Sequence, residues 1–481
     1  MKTRFIAPVI ATFLLIVGMV ISYRTADGEA AADYPWKAAV ATADITPKEN
    51  LWMAGYAARK GPSEKVLQPI HAKVLAIEDA EGGRFVFVTM DLIGVPKPFR
   101  EAVESLAQEK YQIELGSLLI NASHTHSGPM IRLYQPPKGG PEQASYISVP
   151  DDQQELRVRQ TKEYNAGLLA SVDRMIGEVL ANLAPATVSW SHSRCSIAMN
   201  RRTPGKPGEW KNAPNSEGPV DHEVPVLQVR AKEDGSLKAV MFGYACHATV
   251  LSLMEFSGDW PGYAQRYFEE DHPGTVAMFL NGCSGDQNPY PRRLLHYAER
   301  HGRSMATSIE AALETQSTPI VGPIRAAIAW PEIPYQTPPS REELVAKSKS
   351  SDTYDAHHGQ MLLDVLDATG TLPKSYPVPV QVVKFGDSLT VAAIGGEVVV
   401  DYSLRLKREL GELTGGAPVW VAGYSNDVMT YIPSKRVLEE GGYEGGGAMR
   451  YIRSSVHPAP WDPSIEERLV GKIMELAKAL H

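Results

Sequence analysis

Cysteine is scarce in this chain of 481 residues: Cys195, Cys246 and Cys283 are all there is. Three thiols cannot build a disulfide scaffold, and an odd number leaves at least one free or bonded between molecules. No C-x-x-C pair occurs, which excludes the usual cysteine-based zinc sites. Positive charge is also short. Forty-eight Lys and Arg stand against 56 Asp and Glu, a net charge of −8, so the chain carries no basic footprint for nucleic acid. Beyond Ile21 no apolar run is long enough to cross a bilayer, and no internal repeat is found.

What is present describes a globular protein. Apolar residues make up 43% and charged residues 22%, the balance of a chain that can bury a large core. Its length suits one large catalytic domain or two ordinary ones. The start is different. Lys2 and Arg4 precede an almost wholly apolar run from Phe5 to Ile21, and Ala30-Ala31-Ala32 offers a small-residue cleavage site. Residues 1–32 therefore read as a signal peptide or an uncleaved N-terminal anchor. Both readings place the body of the protein outside the cytoplasm: periplasmic, secreted or on the outer face of the membrane. Association with a membrane surface through this segment or through a lipid substrate is open.

Residues 36–481 read as a single domain of α/β class. Strand signals recur at Lys73–Ile77, Arg84–Thr89, Ser117–Ile120, Val226–Val229, Val276–Leu280 and Leu389–Ile394. Helical spacing falls between them. Phe99, Val103 and Leu106 share a face, as do Leu168, Val172, Ile176 and Val179, and further helical patterns run near Leu294–Leu313, Val398–Leu410 and Ile465–Leu480. The stretch Pro334–Pro379, richer in Pro, Ser, Lys and Asp, reads as an inserted helical excursion, because a structureless loop of that length would be unusual.

Several strand ends deliver chemistry. Leu118–Ile120 leads into Asn121-Ala-Ser-His124-Thr-His126-Ser-Gly-Pro129. If the strand continues, the two histidines project to one face, as a metal ligand and its neighbour or as a hydrogen-bonded structural pair. Ala239–Ala245 delivers His247 in the same way. Leu389–Ile394 is followed by Gly395-Gly396-Glu397, a carboxylate aimed into a cleft or one that favours a helix start. Val276–Leu280 leads to Asn281-Gly-Cys-Ser-Gly-Asp286-Gln-Asn288-Pro289, a loop that exposes backbone N–H groups or makes an ordinary tight turn. Together, nitrogen and oxygen groups at three strand ends are the donors a catalytic zinc takes.

These segments resemble the neutral (non-lysosomal) ceramidases. Ser123-His-Thr-His-Ser-Gly-Pro129 is close to that family's most specific motif. Gly55-Tyr56, Gly82 to Leu92 with Asp91, Asn200-Arg201, Ser257-Gly-Asp-Trp-Pro-Gly-Tyr-Ala264 and Gly285-Asp286 resemble others, in order, from about Ala38 to Tyr443. The resemblance implies central β-sheets flanked by helices and one Zn2+ per chain, held by His124, His247, Glu397 and Tyr431. It implies that Arg201 and Tyr443 lie near the scissile carbonyl of an amide, with N-acylsphingosine as the substrate type. The chain departs at the family's nucleophilic serine, where Asn288 stands; Ser284 precedes the Gly-Asp pair and does not match. It also ends at His481 after a helical pattern, without the family's C-terminal immunoglobulin-like domain.

An asparagine cannot form an acyl-enzyme, so the resemblance with this departure implies direct attack by a water that zinc has acidified. Arg201 and Tyr443 then stabilise the oxyanion, a role worth roughly 3–4 kcal/mol per well-placed donor. His126 serves proton transfer or supports a ligand. Asp286 and Asn288 complete the candidate catalytic set, and Asp91 orients a zinc histidine or simply ends a strand. The partner is a small amide or a lipid-like molecule. Two other readings remain: a zinc hydrolase of this fold acting on a non-lipid substrate, and a binding protein that kept the metal but not the reaction.

Overall fold

The computed structural model describes residues 34–206 and 208–480; the export segment expected at 1–32 lies outside them. The large sheet is built from β1 (Trp36–Asp44), β2 (His71–Glu78), β3 (Arg84–Met90), β4 (Leu118–Ala122), β5 (Ala184–Arg194), β6 (Glu223–Ala231), β7 (Leu237–Tyr244) and β8 (Val276–Asn281). Their spatial order is β8-β7-β6-β5-β1-β2-β3-β4, with the short strand Thr318–Pro319 added beside β5. All neighbours are antiparallel except the two outermost pairs, β3/β4 and β7/β8, which are parallel. A second sheet runs β9 (Ile324–Ala329), β10 (Val380–Phe385), β11 (Leu389–Ile394) and β12 (Val419–Ala422), and its β11/β12 pair is also parallel.

Period-two alternation decides what each face meets. In β2, Leu75 and Ile77 point to the inner core, where they join Phe85 and Phe87 of β3, Trp190 of β5, Phe385 of β10 and Trp420 of β12. Phe87 stacks on Phe385 and Trp190 lies 5.6 Å from Trp420, so the two sheets pack face to face. The alternate residues Ala72, Val74 and Ala76 face outward under α1 (Lys97–Tyr111) and α2 (Gln154–Ala181). Helices α3 (Asp259–Asp271) and α4 (Leu295–Glu314) cover β6, β7 and β8. Helices α5 (Val400–Leu413) and α6 (Ile465–Ala479) cover the second sheet. The result is an α/β molecule of two central sheets with helices on both outer faces, as expected.

Three further details matter. The antiparallel pair Glu332–Pro334/Ser375–Pro377 brackets two helices, Arg341–Lys347 and Thr353–Thr369. All three cysteines are buried and unbonded. Among the described residues no helix is long and apolar enough to cross a membrane.

Candidate metal centre

Each parallel strand pair needs a crossover, and the crossovers here carry α1, α3 and α5. The candidate groups follow the carboxyl ends of strands in these units, where open α/β sheets place their ligands. His124 follows β4, His247 follows β7 and Glu397 follows β11. The outermost strands β4 and β8 meet at these ends. Asn281 donates its backbone N–H to Asn121 Oδ1 (2.9 Å) and its side-chain amide to the Ser123 carbonyl (3.2 Å).

The His-x-His motif is not an extended strand. β4 stops at Ala122, and His124 turns into the left-handed region with φ 60°. The rings still meet, with His126 Nε2 3.1 Å from His124 Nε2, because the turn brings them together. Gly55 makes room for this: a Cβ there would stand 2.6 Å from His126 Cβ. Glu397 does not open a helix either. Gly396, at φ 85°, turns the chain, and Glu397–Val398 pairs in parallel with Tyr431–Ile432, so Glu397 and Tyr431 are register partners. Helix α5 begins only at Val400.

Both buried histidines are oriented by backbone carbonyls. His124 Nδ1 lies 2.6 Å from Ile93 O, and His247 Nδ1 lies 2.6 Å from Ser284 O. A ring nitrogen that close to a carbonyl must donate, so Nε2 of each carries the lone pair. These two lone pairs converge on Glu397 Oε2 at 3.2 and 3.5 Å. That oxygen is buried and has no hydrogen-bond partner. Acceptors facing one another across such distances repel unless a cation lies between them. Zinc ligands at about 2.0–2.1 Å in a tetrahedron stand about 3.3 Å apart, so this donor set fits the metal. His124, His126 and His247 together form a group able to hold a metal ion, their ligand atoms all within 4.8 Å.

Burial is the main force on the titrating groups, followed by neighbours. His247 is pushed down to about 3 by burial, with the Arg201 charge adding to it. His126 is likewise held well below its usual range by burial and then by His124.

The remaining sequence candidates fall into place unevenly. Arg201 is buried, donating from Nε to Glu444 Oε1 (2.9 Å) and from Nη2 to the Tyr431 hydroxyl (2.9 Å), while Nη1 lies 3.1 Å from His247 Nε2. The Tyr431 hydroxyl is itself 3.4 Å from His247 Nε2. Tyr443 is 39% exposed at the cavity mouth, its ring 5.2 Å from that of Tyr431. Asn288 is fully buried. Its Oδ1 accepts from Thr249 Oγ1 (3.0 Å) and Arg201 Nη1 (3.4 Å), and it reaches the centre only through that arginine.

Two expectations change. Asp286 is not among the groups that meet at the histidines: its oxygens accept from the Val400 N–H (2.9 Å) and Asn200 Nδ2 (3.0 Å), which ties its loop to two other segments. Asp91 touches none of His124, His126 and His247 either; it accepts from the backbone N–H of His71 (3.0 Å), and the Ile93 carbonyl takes the orienting role. Backbone carbonyls leave no mark in side-chain identity, so no sequence signal pointed to Ile93 or Ser284. Tyr424, whose ring lies 4.5 Å from His124, and Glu444 were also missed. Their only signal is nearness in sequence to Tyr431 and Tyr443.

The centre opens into a cavity of about 460 Å³ whose wall includes His124, His126, Glu397, Tyr431 and Tyr443. A second, more apolar cavity of about 460 Å³ adjoins it, sharing Arg132 and Ser454 and lined by Phe99, Leu133, Leu169 and Met429. Residues 36–293, just over half of the chain, match the family model for the N-terminal region of neutral/alkaline non-lysosomal ceramidases. The chain belongs to this ceramidase family. Neutral ceramidase 1 of Arabidopsis thaliana is 24% identical over 290 residues, 57% of this chain and 34% of that protein. The matched stretch therefore spans about a third of the plant ceramidase. The crystal structure of neutral ceramidase from Pseudomonas aeruginosa superposes with a TM-score of 0.69 at 19% identity, covering 93% of this chain and 75% of that one. A ceramidase complexed with C2 gives 0.68 at 18% over the same shares. At such identities these two likenesses establish the ceramidase fold. Within the family match lie His124, His126, Arg201 and His247; Glu397, Tyr431 and Tyr443 lie beyond it.

Proposed function

We propose that this ceramidase-family protein is an exported zinc hydrolase that cleaves an amide or ester bond in a small, lipid-like molecule. The observation that carries the reading is the convergence of His124 Nε2, His247 Nε2 and the unpartnered Glu397 Oε2 with no donor among them. His124, His247 and Glu397 would hold the metal, with the Tyr431 hydroxyl alongside. Bound there, zinc supplies Lewis acidity that brings a water's pKa from 15.7 toward about 7 and polarises a carbonyl. The chain supplies the rest. Arg201, fixed by Glu444, holds a permanent positive charge beside the place where a carbonyl oxygen becomes negative. Tyr443 at the cavity mouth adds a donor. His126, kept neutral by burial, lines the same cavity and has a free ring nitrogen to take a proton from water and return it to the leaving group.

Elemental analysis of gently purified protein should find about one zinc per chain, largely lost in His124→Ala and in His247→Ala. Full turnover of N-acyl amides by metal-free protein would end this reading, and zinc without turnover of any amide or ester would favour a binding protein. Fractionation of the native host should recover the protein outside the cytoplasm. Recovery only from cytosol with Met1 to Ile21 intact would overturn export.

A further inference from the structure

The reacting-site cavity has a charge that a plain ceramide would not use. Its wall carries two arginines, Arg132 and Arg453, against one carboxylate, Glu397, which leaves one net positive charge in a chain of net −8. Once Glu397 is committed to a cation, the two guanidiniums are the charges left to face a ligand. Neither is neutralised from within the protein. Arg132 donates from Nη2 to the Val428 carbonyl (2.5 Å). Arg453 donates to the Ala144 carbonyl (3.3 Å) and Gln143 Oε1 (2.9 Å), and its guanidinium lies 4.2 Å from the Tyr134 ring centre. Among the described residues neither forms an ion pair. Both are half-buried. Asp427, which senses the Arg132 charge, has its carboxylate engaged by the Tyr376 hydroxyl (2.8 Å).

The contrast with neighbouring arginines is informative. Arg201 and Arg202 share Glu444, and Arg450 pairs with Asp355. Arg59, which donates to the His126 and Leu253 carbonyls, also has no acidic partner among the described residues, but of the arginines without one only Arg132 and Arg453 line the cavity. A half-buried guanidinium held only by neutral acceptors keeps its charge at the expense of lost solvation, and burial lowers the Arg453 pKa. An anion recovers that loss, and the planar fork of each arginine matches carboxylate, sulfonate or phosphate oxygens. The rest of the wall supplies ring faces from Tyr56, Tyr146, Tyr354 and Tyr451, of which Tyr146 and Tyr451, whose hydroxyls accept from the Gly55 N–H and Arg450 Nη2, keep a proton to donate.

We propose that Arg132 and Arg453 form an anion subsite, so that the substrate is an N-acyl amide or ester bearing a carboxylate, sulfonate or phosphate beside the scissile bond. This rests on the hydrolase reading above. The shared chemistry is an oxyanion, and a matched panel separates its sources: N-octanoylglycine, N-octanoyltaurine and N-octanoyl-O-phosphoethanolamine against neutral N-octanoylethanolamine, assayed with zinc-loaded enzyme. At least one anionic compound should show kcat/KM tenfold or more above the neutral one. Arg132→Gln and Arg453→Gln should each remove most of that advantage through KM, lowering kcat/KM for the anionic compounds at least tenfold more than for the neutral one, and Arg453→Lys should restore part of it. Equal kcat/KM for neutral and anionic compounds, or variants that lower both alike, would overturn the subsite. If nothing in the panel turns over, the hydrolase reading fails separately. Calorimetric titration of the intact zinc protein with non-hydrolysable hexanesulfonate, hexanoate and hexyl phosphate, against hexanol, then decides the subsite alone. At least one anion should bind, tenfold weaker in Arg453→Gln; binding of none of them, or no more tightly than hexanol, refutes it.

Discussion

Asn288 occupies the position where the resemblance implies a nucleophilic serine, and its surroundings show what an amide does there. It has no exposed surface and bridges Thr249 to the Arg201 guanidinium. An amide is neither acidic nor nucleophilic at neutral pH. Asn288→Ala should therefore cut kcat about 10- to 100-fold through a loosened Arg201, the scale of one misplaced donor, while zinc content stays unchanged. Ser284→Ala should matter less, because the Ser284 carbonyl, which any residue retains, orients His247. Mass spectrometry with an activated ester should find no acyl adduct; one trapped on Ser284 would refute direct attack by water.

Among the elements, the turn carrying Asp286 links the two sheets. It follows β8 of the large sheet, and its carboxylate takes the Val400 N–H at the start of α5, three residues past Glu397. Asp286→Ala orphans that N–H, at roughly 1–3 kcal/mol for a buried group, and removes one of the two acceptors of Asn200 Nδ2, which keeps the Pro219 carbonyl. Urea unfolding should show the loss, zinc content should fall with it, and Asp286→Asn, which keeps one acceptor, should lose less. A full complement of zinc in Asp286→Ala would show that the turn does not place Glu397. The same elements explain what the sequence could and could not reveal. Runs such as Arg84–Met90 and Leu389–Ile394 were legible because both faces are buried and nearly every residue is apolar. Strand β1, WKAAVATAD, is built mostly of small residues, and β5, APATVSWSHSR, alternates serine with its few apolar residues, so neither carries a strong apolar signal. Helix α3 was hidden because its first turn, Asp259-Trp-Pro-Gly, reads as a loop. His124, His247 and Glu397 stood out as polar groups after apolar runs; Arg132 and Arg453 lie in irregular segments with no such contrast.

For the molecule as a whole, acid groups buried between layers give stability a pH dependence of unusual sign. Burial lifts Asp427 to about 6, against the opposing pull of Tyr376, Arg100, Arg132 and Lys97. Its unfolded value is near 3.9. The folded protein therefore holds this proton more tightly, and stability falls as pH rises from about 4 through about 6, by on the order of 3 kcal/mol. Asp427→Asn removes that term, so thermal midpoints from pH 4 to 7 should shift in favour of the variant as pH rises; a constant gap would refute the shift. The arrangement of the centre also orders events in time. More than half of the chain lies between His124 and Glu397, and the two meet only where separate sheets dock. A ribosome must therefore finish β11 before any complete set of donors exists, and contacts of such sequence separation close late in folding. The three histidines are made before the carboxylate that completes the set, so on the proposed zinc reading full loading would report completion of the fold, and in a chain exported unfolded it would take place on the far side of the membrane.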